Sequence, residues 1–168
     1  RRVKCDALLV SGGYTPSVHL FSQSRGKLEF NEARQAFLPS VSAEPESSAG
    51  SCRGIDGYTQ VLNDGARVGA ASALAAGYSV AAPEYRVQAR EFSTHGLPGV
   101  LPQASPLQPA RAFVDFQNDV TSKDLALALR EGFESVEHIK RYTTTGMATD
   151  QGKTSNMNAL AFVAGELG

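Results

Sequence analysis

Prolines are concentrated in one part of the chain, and this concentration divides the sequence. The 168 residues contain eight prolines. Proline fixes φ and has no backbone N–H, so a dense run of prolines excludes the interior of a helix or sheet and favours an extended chain. We therefore predict a folded region over residues 1–82, a proline-rich linker over 83–109 and a second folded region over 110–168. The prolines of the linker are Pro83, Pro98, Pro102, Pro106 and Pro109.

The region 1–82 carries signals for both strands and a helix. The apolar run at residues 5–10 precedes a Ser-Gly-Gly turn and predicts a buried strand. Residues 25–30 predict a second strand, and residues 40–54, rich in Ser, Ala, Glu and Gly, predict a loop. From 58 to 76 the apolar residues follow a helical stripe that ends at Gly77.

The region 110–168 is predicted to be helical. Thr121 and Asp124 have the spacing of a capping box and predict the start of a helix that stops at Gly132. Two more helices are expected, over 136–142 with Ser135 as the cap, and over 157–167. The predicted fold is therefore an α/β remnant followed by a small all-α domain, which makes the chain α+β overall and rich in helix.

Composition excludes several classes of function. The formal net charge of −1 gives no basic surface for nucleic acid, and no apolar run reaches the roughly 20 residues that a membrane span needs. Cys5 and Cys52 are the only cysteines, so the chain cannot supply a four-cysteine metal site, and a reducing cytoplasm is the simplest compartment. Because the chain opens in a predicted core strand without an initiator Met, we expect a segment of a longer protein.

Three stretches carry a resemblance to a known family. Residues 5–16, CDALLVSGGYTP, resemble a strand and glycine turn of the pyridine nucleotide–disulfide oxidoreductases, and residues 63–71, NDGARVGAA, resemble the last helix of that nucleotide-binding module. Residues 114–121, VDFQNDVT, with 135–143 and 146–156, resemble a small helical domain related to bacterioferritin-associated-ferredoxin-like iron–sulfur domains. Together they resemble the alpha subunit of heterotetrameric sarcosine oxidase.

The resemblance implies a flavoenzyme. Such an oxidoreductase demethylates sarcosine to glycine, producing hydrogen peroxide and formaldehyde or 5,10-methylenetetrahydrofolate. It implies beta, gamma and delta subunits as partners, NAD bound to the alpha subunit, and FMN shared with the beta subunit. FAD and tetrahydrofolate would bind elsewhere in the complex. This segment would supply binding surface and subunit contacts, with no catalytic residue, and we expect it to be inactive alone.

The iron–sulfur ligands of the ferredoxin-like relatives correspond here to four residues that carry no thiol. A [2Fe–2S] cluster needs thiolates, with imidazole as the common substitute. We therefore expect the domain to keep the scaffold and to lack the cluster. The four corresponding positions are Asp115, Gln117, Asp150 and Ser155.

The turn at 149–155 is the predicted flavin contact. It places a glycine, a lysine and hydroxyl groups before a helix, whose N-terminus offers N–H donors and a positive dipole. We expect this turn to bind the FMN phosphate, with Arg141 nearby. The alternative is a capped helix start with a solvated lysine. The candidate residues of the turn are Thr149, Gln151, Gly152, Lys153, Thr154 and Ser155.

The start of the long helix is the predicted NAD contact. Residues 49–51, Ala-Gly-Ser, correspond to an Ala-Gly-Asp triplet of the disulfide reductases, so their acid is missing. The expected NAD contacts are Gly57, Tyr58, Leu62, Asp64 and Gly65. The alternative is structural: Leu62 belongs to the core, and Asp64 is a first-turn acid that favours the helix dipole.

Two alternative functions of the helical domain, from other classes of protein, remain open. In one, the helical domain docks subunits and touches no cofactor. In the other, it is an electron-transfer domain of a related amino-acid dehydrogenase. Scattered His19, His95 and His138 give no metal-ligand spacing, so no metal is expected.

Overall fold

The structure, a computed structural model, describes residues 3–7, 14–88 and 112–168. The chain divides into two compact units, Arg1–Gly96 and Leu97–Gly168. The division falls within the predicted proline-rich linker, and residues 89–111, which make up most of that linker, lie outside the described residues.

The first unit begins with a short helix and a hairpin. Helix α1 spans His19–Gln23, and the antiparallel strands β1 (Lys27–Asn31) and β2 (Ala36–Val41) follow it. Phe30 and Phe37 face each other across the hairpin with ring centroids 5.2 Å apart, an edge-to-face contact that supports the register.

Two strands were predicted in the first part of this unit. The strand predicted over 25–30 is confirmed as β1. The buried strand predicted over 5–10 is wrong for residues 5–7, which are exposed and form no strand, and residues 8–10 lie outside the described residues. An apolar run alone predicts burial only where a partner surface exists, and none of the described part of this unit covers residues 5–7.

Helix α2, Tyr58–Ala75, confirms the predicted long helix, and a 3₁₀ helix, Gly50–Arg53, precedes it. Gly77 ends α2 as predicted: its φ is 88° and the Tyr78 N–H donates to the Ala73 carbonyl at 2.9 Å, the pattern of a glycine C-cap. The apolar stripe is not buried in this unit, because Leu62 is 43% exposed and Leu74 66%.

Asp64 is the one α2 residue that is buried. Its carboxylate accepts the Gly50 N–H at 2.8 Å and the Arg67 guanidinium at 2.7 Å, with Arg53 at 3.4 Å. The hydrogen bond from Gly50 has the largest effect and, together with the two arginines, holds the Asp64 pKa below its ordinary value of 3.8. Burial acts in the opposite direction. Asp64 lies beyond the first turn of α2, so its interpretation as a first-turn acid is wrong.

The described part of the second unit, residues 112–168, contains two short strands and three helices. Strands β3 (Phe113–Asp115) and β4 (Val120–Thr121) pair antiparallel. The predicted all-α domain is therefore wrong, since strands of three and two residues are too short to give an alternating pattern. The helices are α3 (Ser122–Arg130), α4 (Val136–Thr143) and α5 (Asn156–Leu167), within a residue or so of the predicted spans.

Local signals at two helix starts had different outcomes. The capping box is confirmed: Asp124 Oδ2 accepts both the Thr121 N–H and the Thr121 hydroxyl at 2.7 Å. Ser135 lies at the N-cap of α4 but makes no side-chain capping bond. The three helices enclose a core with both strands, formed by Val114, Val120, Leu125, Ala128, Ile139, Ala159 and Val163.

No described helix is long and apolar enough to cross a membrane.

Asp64→Asn tests the link between α2 and the 3₁₀ helix. We expect a loss of about 1–3 kcal/mol in the free energy of unfolding at neutral pH, the usual contribution of hydrogen bonds to a charged group. Because the folded-state pKa of Asp64 is depressed, its stabilisation is complete above the unfolded value and disappears as pH falls through the folded value. Urea unfolding between pH 7 and pH 3 should show the two proteins converging in acid.

Glu84→Gln is the matched control, since Glu84 is exposed and, among the described residues, pairs with exposed Arg86. Equal stability of Asp64→Asn and wild type at pH 7 would contradict the structural role of Asp64.

Candidate functional site

A cavity of about 460 Å³ opens in the first unit between the β1–β2 hairpin, the 3₁₀ helix and the first turn of α2. This volume lies within the range of about 300–1,000 Å³ typical of small-molecule sites. Hydroxyl, thiol and charged groups line it together with glycine backbone, so it can bind a polar ligand. The polar lining residues include Tyr14, Ser17, Arg34, Ser51, Cys52, Asp56 and Tyr58.

An ion pair crosses the cavity lining. The Arg34 guanidinium donates to the Asp56 carboxylate at 2.5 Å, and the two side chains are 29% and 26% exposed. Arg34 belongs to the hairpin turn and Asp56 precedes α2, so the pair joins two segments 22 residues apart. The charge of Arg34 is therefore already compensated, and an anionic ligand would compete with Asp56 for it.

Two of the five predicted NAD contacts line this cavity. Gly57, at φ 83°, and Tyr58 bring the N-terminus of α2 to its edge. Leu62 and Gly65 are exposed on α2 outside the lining, and Asp64 is engaged with Gly50 and the arginines. The prediction missed Arg34 and Asp56, because no local pattern reports a contact between residues so far apart in sequence.

The centre of the second unit is the Asp115 carboxylate, which is 2% exposed. One oxygen accepts the N–H groups of Gln117 at 2.9 Å and Asn118 at 3.2 Å. The other accepts the Gly146 N–H at 2.7 Å and lies 3.5 Å from the Ser155 hydroxyl. A single buried side chain thus ties the β3–β4 turn to the α4–α5 loop and to the start of α5.

Two of the four positions that correspond to iron–sulfur ligands meet at this centre. Asp115 and Ser155 are in contact, and Gln117 contributes its backbone rather than its side chain. Asp150 is engaged in its own turn. The centre is built from oxygen acceptors and N–H donors that satisfy one another, and no described group of three or more His, Cys, Asp or Glu side chains is arranged to hold a metal ion.

The predicted flavin turn is closed by Asp150. Its carboxylate accepts the N–H groups of Gly152 and Thr154 at 3.1 Å and the Thr154 hydroxyl at 2.6 Å. These hydrogen bonds lower the Asp150 pKa, and the bond from the Thr154 hydroxyl has the largest effect. The donors expected to bind phosphate are therefore occupied by a carboxylate of the same chain.

The remaining residues of the turn differ in availability. Ser155 is buried against Asp115, whereas the Gln151 amide donates to the Ala148 carbonyl at 3.0 Å. Lys153 and Thr149 are exposed, as is Arg141 on α4. These exposed side chains, together with that of Gln151, which is also exposed, can reach an outside group without rearrangement of the turn.

Asn156 lies between two glycines at the start of α5. A Cβ built on Gly146 or Gly152 would come within 2.0 or 2.2 Å of Asn156 Oδ1, and both glycines have positive φ, 69° and 74°. Asn156 Oδ1 is buried without a hydrogen-bond partner in the described part of the chain. The two glycines are therefore required by close approach as well as by backbone conformation.

Two apolar side chains are presented to solvent beside the Asp115 centre. Phe116, 77% exposed, directly follows Asp115, and Met147, 56% exposed, directly follows Gly146. The Asn118 amide donates to the Thr144 carbonyl at 2.8 Å, a second link between the same turn and loop. Both exposed side chains therefore stand on backbone that is held by hydrogen bonds.

Comparison with known proteins identifies the family. Residues 109–168 match the family model of the sarcosine oxidase A3 domain. The whole chain is 40% identical to a sarcosine oxidase subunit alpha of Corynebacterium sp. (strain P-1), and 96% of it is 40% identical to that of Rhizobium meliloti (strain 1021). The chain belongs to the sarcosine oxidase alpha subunit family. It spans 18% and 16% of the length of these two relatives.

A solved structure shares the fold. The crystal structure of L-proline dehydrogenase from P. horikoshii matches with a TM-score of 0.61, covering 92% of this chain and 32% of that chain at 22% sequence identity. At this identity the similarity concerns the fold alone. It supports the α+β class of this chain.

Asp115→Ala tests the centre of the second unit. Removal of the carboxylate leaves the N–H groups of Gln117, Asn118 and Gly146 without their acceptor, and an unsatisfied buried group costs about 1–3 kcal/mol. We expect the free energy of unfolding to fall by about 2–4 kcal/mol in urea titrations. Glu134→Ala, at an exposed position, should change it by less than about 0.5 kcal/mol. Similar losses in both variants would refute the central role of Asp115.

Proposed function

We propose that this chain is the part of a sarcosine oxidase alpha subunit that forms one wall of a dinucleotide site and one contact surface for the other subunits. The whole enzyme would oxidise the N-methyl group of sarcosine, yielding glycine, hydrogen peroxide and either formaldehyde or 5,10-methylenetetrahydrofolate. The sequence relatives support the family, and the 460 Å³ cavity at the start of α2 is the observation that supports a binding role.

NAD is the proposed ligand of the first unit. The cavity fits part of such a ligand: the α2 N-terminus, with Gly57 and Tyr58, borders it, and helix N-termini favour phosphate groups. Tyr14 and Ser17 add hydroxyl groups, and Arg34 offers a cation if it exchanges Asp56 for a phosphate. NAD would here be bound and oriented by this unit.

FMN is the proposed ligand at the second unit, but with fewer contacts to its phosphate than the sequence of the turn predicts. The backbone of the turn does not fit a phosphate while Asp150 occupies its donors. Lys153 remains exposed within that turn and can supply a point charge to a phosphate held mainly by another subunit. Arg141 and Thr149 are further exposed candidates.

Subunit docking is the second candidate for this unit, and a specific observation favours it. Phe116 and Met147 are exposed on rigidly held backbone, and large apolar and aromatic side chains are enriched in the buried cores of interfaces. We infer that beta, gamma or delta subunits contact this unit. The electron-transfer alternative has less support, because none of the four corresponding positions carries a thiolate. A cytoplasmic location and FAD and tetrahydrofolate sites elsewhere in the complex complete the proposal.

Ser51→Phe tests the dinucleotide cavity. Ser51 is exposed and lines the cavity, so a phenyl ring there fills the space without entering the core. We expect the Kd for NAD of the assembled enzyme to rise at least about tenfold, which corresponds to about 1.4 kcal/mol. Calorimetric titration with NAD measures this. Ser72→Phe, at an exposed α2 position outside the lining, is the control, and an equal Kd in both variants would exclude the cavity.

Lys153→Ala separates the flavin role from docking. If Lys153 contacts the FMN phosphate, FMN occupancy of the assembled complex should fall several-fold while assembly is unchanged, because an exposed charge at a rim contributes little to the association of subunits. Flavin absorbance and size-exclusion chromatography measure the two properties. Lys123→Ala, at another exposed lysine, is the matched control. Full occupancy with weakened assembly would favour docking alone.

A further inference from the structure

The segment that follows α2 turns back along the helix. The Asn63 amide donates to the Tyr85 carbonyl at 3.0 Å and accepts the Tyr85 N–H at 2.7 Å. The Thr59 hydroxyl accepts the Val87 N–H at 3.1 Å. Val87 follows Tyr85 in the chain but contacts Thr59, which precedes Asn63 on the helix. Residues 78–88, here called the return segment, therefore run antiparallel to α2.

The spacing of these bonds indicates that the return segment is extended between Tyr85 and Val87. Thr59 and Asn63 are four residues apart on a helix, which is about 6 Å along its axis. Tyr85 and Val87 are two residues apart, which is about 6.6 Å in an extended chain. These two distances are nearly equal, so every second residue of the return segment can contact a successive turn of α2. Asn63 engages both backbone groups of Tyr85, as a neighbouring strand would.

One backbone edge of the return segment is therefore used and the other is open. In an extended chain, the N–H and C=O groups of successive residues point to opposite sides. Since Tyr85 and Val87 point to α2, the backbone of Glu84, Arg86 and Gln88 points away from it. No described residue bonds to those groups, and every residue from 78 to 88 is exposed.

The side chains of this edge alternate in polarity. Tyr85 and Val87 share one face and are 43% and 39% exposed, whereas the polar side chains of Glu84, Arg86 and Gln88 take the other. Glu84 and Arg86 pair with each other at 3.4 Å, so the polar face carries no net charge for a partner to neutralise. An open edge with one apolar face is the surface to which an extended strand adds.

We propose that the outer edge of residues 84–88 receives an extended strand from another part of the same, longer polypeptide. The incoming strand would donate to and accept from the backbone of Arg86 and Gln88 and cover Tyr85 and Val87 with an apolar residue. The alpha subunit relatives are five to six times longer than this chain, so such a strand is available within one polypeptide. Tethering raises its effective concentration above that of a separate chain, and proteins cover open strand edges against aggregation.

Hydrogen exchange in the full-length assembled protein tests the proposal. The Arg86 and Gln88 amides should exchange more than about tenfold more slowly than an unstructured peptide. Arg86→Pro removes the outward N–H but suits the extended conformation of Tyr85, and it should accelerate exchange at Gln88 at least about tenfold. Arg86→Ala, which keeps the N–H, should leave exchange at Gln88 slow. Unprotected Arg86 and Gln88 amides in the wild-type protein would overturn the proposal.

The source of the strand is read by crosslinking in the same assembled protein. A photoreactive phenylalanine analogue in place of Gln88 is irradiated, and the attached peptide is sequenced by mass spectrometry. A crosslink within the same polypeptide supports the proposal. A crosslink to a different subunit or to a second copy overturns it.

Discussion

The buried carboxylate of Asp115 determines the arrangement of the second unit. Residues 112–168 form a short pair of strands and three helices, so their loops need an organising group besides the apolar core. Asp115 provides it by accepting N–H groups from the β3–β4 turn and from Gly146, while it contacts the Ser155 hydroxyl where α5 begins. A buried charge is tolerated only where hydrogen bonds replace its hydration, and three backbone donors with one hydroxyl meet that condition here.

The first unit uses the same arrangement independently. Asp64 is buried on α2 and accepts the Gly50 N–H at 2.8 Å, as Asp115 accepts the Gly146 N–H at 2.7 Å. Both donor glycines have left-handed backbone, with φ of 68° and 69°; Gly50 begins the 3₁₀ helix, and Gly146 lies in the loop after α4. A glycine at positive φ turns its N–H away from the path of a regular helix, and an aspartate on a neighbouring element can then accept it. In both units this bond fixes a loop that borders a candidate binding surface: the cavity in the first and the turn at 149–155 in the second.

Sequence predicted the features whose causes are local. The Thr121 and Asp124 capping box, the glycine stop at Gly77 and the extent of α2 depend on residues within a few positions, and the structure has all three. The burial of the two aspartates also depends on distant partners, Gly50 at 14 residues from Asp64 and Ser155 at 40 residues from Asp115, which periodicity and turn signals do not report. The same holds for the Arg34–Asp56 pair in the cavity. The strands β3 and β4 were not predicted, because they are too short to show an alternating hydrophobic pattern. Which residues contact NAD or FMN is still a prediction.

The Asp115 centre shows how the loops of the second unit are joined without thiolates. The family resemblance maps two ligand positions onto Asp115 and Ser155, and these side chains are in contact. A cluster bound to cysteines joins loops through covalent-strength metal–sulfur bonds and polarises the backbone N–H groups around its sulfurs. A carboxylate offers comparable acceptor capacity to such N–H groups, with two oxygens and about four lone-pair directions. The single aspartate at position 115 therefore serves the donors of two loops at once. The remaining positions are then free for other uses: Asp150 closes its own turn, and Gln117 is exposed.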